Sequence, residues 1–339
     1  MTTQSQIDTS RVESEVFRAA RNYFSDLGFV ELFPPRIVRA SGACENVDTL
    51  FEVRVEGDHK WFEPNGAKSH SYLAQTGQLY LEAFVPKYQN VYCVGPSFRA
   101  EAGVDARHLT EFTMLEIEFA GGFEKLLNHI EGMVSHVAHA IGDRATSLGI
   151  DADHSTRLKS CPSIFPRITY DDAIEELKSM GETIEWGDDI DRHREQKLVQ
   201  QHGNVPLFIT HYPDPMINFG KEIEVEKFFN MLPDPKRPGR VQSSDLILPI
   251  SGESVGSAAR VHEVGMLVDR LSNSKMFARL EKRGGGIDDF SWYIDKVRDN
   301  GAVPHAGCGF GMARILQWII GVGDIRQAVT FVQNKEQLI

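Results

Sequence analysis

FRAEAGVDARHLTEF, residues 98–112, runs directly into TMLEIEFA, residues 113–120, and the reading of this pair decides the fold. In the second piece apolar and polar residues alternate, the period of a half-buried strand. A strand places Thr113, Leu115, Ile117 and Phe119 on one face, and Phe112, Met114, Glu116 and Glu118 on the other. If 97–101 is also extended, Arg99 and Glu101 share a face. Carboxylates are costly to bury unless they are paired or hold a metal. A sheet face carrying Arg99, Glu101, Glu116 and Glu118 is therefore either a polar ligand site or a salt-bridged solvent face. The aromatics that bracket the charged piece, Phe98 and Phe112, argue against an ordinary solvated loop.

Before this stretch, Val12, Val16, Phe17, Ala20, Tyr23, Phe24 and Leu27 form one helical stripe that ends at Gly28, after a polar N-terminus (1–11) expected to be disordered or extended. Pro34 and Pro35 in FVELFPPRIVRAS deny donors to a central ladder, which puts that strand at a sheet edge or a dimer seam. Residues 41–70 are loop-rich, with a hairpin expected in TLFEVRVEGDHKWFE. YLAQTGQLYLEAF (72–84) and VYCVGPSFRAE (91–101) read as extended. After it, a helix is expected over 123–142, a linker or small insertion over 144–166, and a further helix over 170–180. NVPLFITHYP and SDLILPISGE read as strands, 260–282 as a helix, and a last helix follows HAGCGFGMAR. Helices and strands do not alternate as parallel units do, so the expectation is an α+β fold: a mainly antiparallel sheet of six to seven strands flanked by helices.

The composition narrows the function classes. In 339 residues, 41% are hydrophobic, enough for a large core, which excludes wholesale disorder. The N-terminus MTTQSQIDTS has no signal pattern, and ILQWIIGVG is far too short to cross a membrane, so a cytoplasmic protein is expected. The four cysteines (Cys44, Cys93, Cys161, Cys308) are scattered, and the twelve histidines form no HExxH pattern, which argues against zinc sites and disulfide frameworks. A net charge of −12 disfavours a protein whose main task is gripping a polyanion, although a local basic patch remains compatible with it.

Two further clusters carry chemistry. In SSDLILPISGESVGSAAR (243–260), a strand running into a glycine turn brings Asp245 near Glu253. Such a pair suits Mg²⁺, which takes few protein oxygens beside water and phosphate. In PHAGCGFGMARILQW (304–318), glycines precede a helix that carries Arg314 in its first turn. No preceding βα unit or later acid supports a dinucleotide fingerprint. The glycines instead let backbone approach a planar ligand, on which Arg314 can stack.

Taken in this order, the pieces resemble the catalytic core of the class II aminoacyl-tRNA synthetases, in particular the asparaginyl/aspartyl subgroup. GFVELFPPRI is similar to motif 1, FRAE…RHLTEFTMLEIEF to motif 2 and GFGMAR to motif 3, and the likeness covers about residues 12–330. It implies a homodimer through the Pro35 segment, and ATP and Mg²⁺ as cofactors. It also implies roles. Arg99 holds the α-phosphate, and Arg107 and His108 hold the β- and γ-phosphates. Phe112 and Arg314 sandwich the adenine, and Glu101, Leu109 and Gly311 complete the nucleotide side. Asp245 and Glu253 bind the metal. On the amino-acid side the resemblance implies Glu45 and Gln78 near the α-amino group and Arg260 reading the side chain, with Gln75, Leu81, Glu116, Gly256, Ser257 and Gly307 around them. Arg99, Arg260 and Arg314 are the residues implied to act in catalysis. Leu81 stands where aspartyl enzymes carry lysine, which suits a neutral carboxamide.

This chain departs from the family pattern at Ala313 (normally glutamate), at Ser257 (normally glycine), at NFG in place of PFY, which puts Gly220 near the pocket, and at CENVD in place of the flexible EGG loop. With motif 1 so near the start of the sequence, the anticodon-binding barrel of full-length members is expected to be absent. The expectation is an ATP-dependent ligase that activates asparagine, aspartate or a close analogue and passes it to ammonia, an amine or another non-tRNA acceptor. The rivals are a tRNA ligase reading the acceptor stem alone and a silent amino-acid or nucleotide-binding regulator.

Overall fold

The computed structural model describes residues 7–40, 47–58, 61–62, 71–225, 227–301 and 303–338. Helix α1 runs from Thr9 to Asp26, starting earlier than the apolar stripe suggests. The Asp8 side chain accepts a hydrogen bond from the Arg11 N–H at 3.3 Å and caps the first turn, so residues 9–11 are helical rather than extended or disordered. The short strands β1 (Val30–Glu31) and β2 (Ile37–Val38) flank the two prolines, and β2 pairs with β3 (Tyr72–Leu73). The expected extended run 72–84 is a correction: after β3 the chain forms helices α2 (Gln78–Glu82) and α3 (Val85–Tyr88). Of the hairpin expected at 49–63, the described residues show an isolated bridge between Val55 and Asp58, while 59–60 and 63 lie outside the description.

Strands β4 (Asn90–Phe98) and β5 (Glu111–Ala120) pair antiparallel, and helix α4 (Phe123–Leu148) follows. Residues 144–166 are not a bare linker. They finish α4, add helix α5 (Ala152–Lys159) and bury Ile150, Leu158, Cys161 and Phe165 in the main core. Strand β6 (Arg167–Thr169) and helix α6 (Tyr170–Ser179) lead to α7 (Arg192–Gln201), a helix the periodicity reading had not marked. Strands β7 (Leu207–Thr210), β8 (Ser243–Leu248) and β9 (Gly252–Ala259) come next. The expected helix 260–282 is two helices, α8 (Val264–Ser272) and α9 (Lys275–Lys282), and α10 (Ser291–Asn300) follows. Strand β10 (His305–Gly311) runs into α11 (Met312–Ile320).

One sheet of eight strands, ordered β1-β4-β5-β10-β9-β8-β7-β6, organises the molecule. Its pairs are antiparallel except β1 with β4 and β6 with β7. The α+β expectation therefore holds, with eight strands in place of six or seven. One face is closed by α1, α4 and α11 over Leu115, Ile117, Phe119, Ala306 and Phe310. The opposite face holds the site.

Within that core His129 sits between the rings of Phe29 and Phe119, 5.3 and 4.7 Å away, and its Nε2 has no hydrogen-bond partner among the described residues. Burial, helped by Lys125, pushes its pKa down from 6.5 to about 4. Above 6.5 the ring is neutral in both folded and unfolded chains. Below it the unfolded chain takes up a proton that the folded chain refuses, so stability is lost as pH falls towards 4. His129→Phe, which keeps a ring there without a proton site, is expected to show a smaller fall in thermal midpoint between pH 7 and pH 4. An identical fall in both proteins would refute this assignment.

Candidate active site

The alternation read in 113–120 shapes the site. Phe112, Met114, Glu116 and Glu118 leave β5 on the face away from the core and, with Arg99 and Glu101 beyond the end of β4, line a cavity of about 230 Å³. The neighbouring strand β10 carries glycine at 307, 309 and 311, every second position. A Cβ on Gly307 would lie 2.1 Å from the Glu118 carboxyl, and one on Gly309 would lie 2.6 Å from the Met114 methyl. The bare glycines thus let the β5 side chains lie flat across the sheet. Gly311 lines the cavity, whereas Gly307 is covered by Glu118 and does not, which corrects its place among the substrate-facing residues.

The cavity has two chemically distinct ends. At one, Arg99, Arg107, His108, Leu109, Phe112, Ala313, Arg314 and Ile325 converge. The Arg99 guanidinium lies 5.3 Å from the centre of the Phe112 ring. Arg314 donates to the backbone oxygen of Glu253. No hydrogen-bond acceptor among the described residues reaches the buried Arg107 Nε, which suits a site built for an anion. His108 is held by Asp105 at 2.8 Å. Phe112 and Arg314 line the same cavity, the arrangement that a clasped purine requires. Ala313, in place of the motif acid, packs with Leu109 and Ile325 beneath Phe112.

At the other end Arg260 is 4% exposed and bonds Glu118 through Nη2 at 2.6 Å and Nε at 3.1 Å. Behind them the buried Glu82 accepts from Gln78 at 2.7 Å, from Asn230 at 2.9 Å and from Tyr293, and contacts His305 at 3.1 Å. Burial pushes the Glu118 carboxyl up to about 7, opposed by Arg260. Glu82, equally buried, is held below the usual carboxylate range because His305 and Arg260 outweigh the burial. Ligand atoms of Glu82, Glu118 and His305 lie within 4.8 Å of one another, but the donors around them already satisfy these oxygens. The Glu82 cluster was missed because 72–84 reads as a strand. In a helix Gln78 and Glu82 are four apart and share a face.

Other expected residues divide. Gln78, Glu101, Glu116, Gly256 and Ser257 line the cavity. Ser257 bonds Ser244 Oγ at 2.6 Å, so its hydroxyl is satisfied within the sheet. Gln75 lies beneath, donating to Thr49 at 2.9 Å, and is not in the lining. Leu81 is also a correction: it is fully buried with Val85, Val91 and Cys93, on the side of α2 away from the cavity. Gly220 is exposed and away from the cavity, and Phe228 and Met231 line it instead. Glu45 lies outside the described residues.

The proposed metal carboxylates face one spot. An oxygen of Glu253 and one of Asp245 lie 3.8 and 3.9 Å from where a Cβ on Gly256 would stand. The other Asp245 oxygen is bonded by Lys227 Nζ at 2.5 Å, and that ammonium lies 3.8 Å from the centre of the Tyr212 ring. Burial pushes Asp245 up to about 6 against the pull of Lys227. Burial acts upward on Glu253 too, but Lys227, Arg314, Arg99 and Arg107 together hold it below its ordinary value. Glu195 of α7, unmarked in the sequence, accepts from the Glu253 N–H at 3.2 Å and is pushed up to about 8 by burial and by Glu253. Two adjacent acids beside this group of arginines suit a divalent ion that shares phosphate and water ligands, with Lys227 and Tyr212 already hydrogen-bonded to Asp245.

Comparison with known proteins agrees with this geometry. The family described as tRNA synthetases class II (D, K and N) matches residues 1–335. Asparagine--tRNA ligase of Pelotomaculum thermopropionicum is 34% identical over 324 residues, covering 95% of this chain and 67% of its own length. That of Pyrococcus abyssi is 36% identical, covering 97% and 68%. The structure of asparaginyl-tRNA synthetase from Pyrococcus horikoshii complexed with asparaginyl-adenylate superposes with a TM-score of 0.80 at 31% identity, covering 97% of this chain and 69% of that one. Among the described residues no helix is long and apolar enough to cross a membrane. A cavity lined by convergent arginines and a buried Arg–Glu pair, on this sheet and with these relatives, places the chain in the class II tRNA synthetases of the D, K and N type, the ATP-dependent ligases that form aminoacyl adenylates.

Proposed function

We propose that the chain activates asparagine, or a close carboxamide analogue, as its adenylate and transfers the acyl group to ammonia, an amine or another small non-tRNA acceptor. The observation that carries the first half is the meeting of both ends in one cavity, a triphosphate-and-purine end and an Arg260–Glu118 end. ATP lies with its purine between Phe112 and Arg314 and its outer phosphates on Arg107 and His108. The amino-acid carboxylate attacks the α-phosphorus, and Arg99 stabilises the charge that grows on the α-phosphate oxygens as pyrophosphate leaves. Asp245 and Glu253 would hold Mg²⁺, which neutralises phosphate charge when bound. The chain supplies position and field, with no protein nucleophile.

A carboxamide has a carbonyl that accepts and an N–H that donates. Arg260 supplies the donor and Glu118 the acceptor, whereas a side-chain carboxylate would face Glu118 with like charge. The acidic balance of −12 supports a small acceptor. The tRNA reading is favoured by the names of the relatives, which are asparagine--tRNA ligases. A homodimer is proposed through the β1 edge, where Phe33 is 86% exposed beside exposed Leu27, Val30 and Ile37.

Amino-acid-dependent ATP–pyrophosphate exchange without tRNA tests the first half. Exchange with asparagine at least tenfold above aspartate is expected, and no exchange with any acid would overturn the reading in favour of a silent regulator. AMP release on adding ammonium, amines or tRNA then separates the acceptors; acceleration by tRNA alone overturns the small-acceptor half.

A further inference from the structure

Beyond the site described, a second cavity of about 480 Å³ opens between the segment 214–229 and helix α9. Its size is in the range of small-molecule sites. Met216, Ile217, Ile223, Val225, Phe229 and Met276 give it a mainly apolar wall. Among the described residues Lys221 and Lys275 line it beside Glu222, while the lining Asp214 is committed to Arg270 through contacts of 3.0 and 3.1 Å.

Its position gives it meaning. Phe228 lines both cavities, so the two adjoin at this residue. Phe228 packs with Met231 and Ala258, and Met231 forms a backbone bridge with Arg260. The second cavity therefore adjoins the amino-acid end of the first, not the purine end. Lys227, the partner of Asp245, lines it as well. A molecule held there lies beside the Arg260 end of the first cavity.

We propose that this second cavity is the acceptor site, and that the acceptor is a primary amine borne on an apolar body with an anionic group. The inference rests on the adenylate-forming reading above and names the acceptor class for it. The apolar wall takes the body of the molecule, and Lys221 and Lys275 take the anion. The amine lone pair attacks the acyl carbon, an amide C–N bond forms, and the bond from that carbon to the phosphate oxygen breaks. AMP leaves with the electron pair, and the surplus amine proton passes to solvent. No oxidant or reductant is needed.

The test compares ammonium, phenethylamine, phenylalanine and unfractionated tRNA as acceptors, following AMP release in the presence of asparagine and ATP. Phenylalanine, which carries the carboxylate, is expected to give kcat/KM at least tenfold above phenethylamine and above ammonium. In Lys221→Glu/Lys275→Glu the KM for phenylalanine is expected to rise about tenfold while that for phenethylamine stays within twofold. Met276→Trp, which fills the apolar wall, is expected to raise both. Pyrophosphate exchange, read in parallel, should remain within twofold in every variant. Intact exchange with an unmoved KM for phenylalanine, with ammonium as the best acceptor, or with tRNA as the sole acceptor overturns the acceptor site alone. Absence of exchange in the unaltered chain removes the adenylate reading first and this inference with it.

Discussion

Arg99→Ala is expected to lower amino-acid-dependent ATP–pyrophosphate exchange about a thousandfold, the usual cost of removing a cation that stabilises phosphoryl transfer. The fold should survive. The Arg99 backbone is pinned independently of its side chain, with its N–H donating to Thr110 at 2.8 Å and its carbonyl accepting from Glu101 at 2.9 Å. The lost side chain lies against Phe112 and opens into the cavity, so the thermal midpoint should move by no more than a few degrees. Arg99→Lys keeps the charge but not the planar fork, and should recover part of the rate. The loss should appear in kcat, because the charge on the α-phosphate grows towards the transition state. Exchange retained in Arg99→Ala would refute the assignment of this end of the cavity to ATP.

The second large effect is expected at the Arg260–Glu118 pair. Arg260→Ala leaves Glu118, 1% exposed, with an uncompensated charge, which costs about 3–5 kcal/mol. That change confounds folding with recognition, so Glu118→Gln is the cleaner probe. It keeps the volume and still meets Arg260, but it replaces an acceptor with a group that can also donate. Asparagine should then lose its N–H partner while an aspartate carboxylate loses its repulsion, so the preference measured as kcat/KM is expected to move towards aspartate by about a hundredfold. An unchanged ratio would mean that this pair is structural and that the side chain is read elsewhere.

Much of this was legible locally. The period of two in 112–119 sorts Phe112, Met114, Glu116 and Glu118 from Leu115, Ile117 and Phe119. The glycines of 307–311 marked a backbone that a planar ligand can approach, and Arg99 and Glu101 marked a polar ligand face. What failed were readings whose outcome depends on a partner far along the chain. QLYLE has apolar residues that suit either a strand or a helix. It becomes helical where Glu116 accepts from the Gly77 N–H at 2.7 Å and Asn230 reaches Glu82. That choice turned Leu81 into the core and Glu82 towards Arg260. In the same way the loop after β7 gave no sign that Phe228 and Met231, rather than the stretch around Gly220, reach the cavity.

The sequence by itself determined the strand faces, the α+β class and the chemical types gathered for a nucleotide, because periodicity and residue chemistry act over a few neighbouring positions. Only the tertiary structure decided which carboxylates pair with Arg260, which oxygen of Asp245 Lys227 occupies, and that a second chamber adjoins the first. Those are contacts between residues as far apart as Glu118 and Arg260, set by how strands and helices stack. A buried charge takes whatever partner the packing brings within reach, and local spacing does not encode that partner.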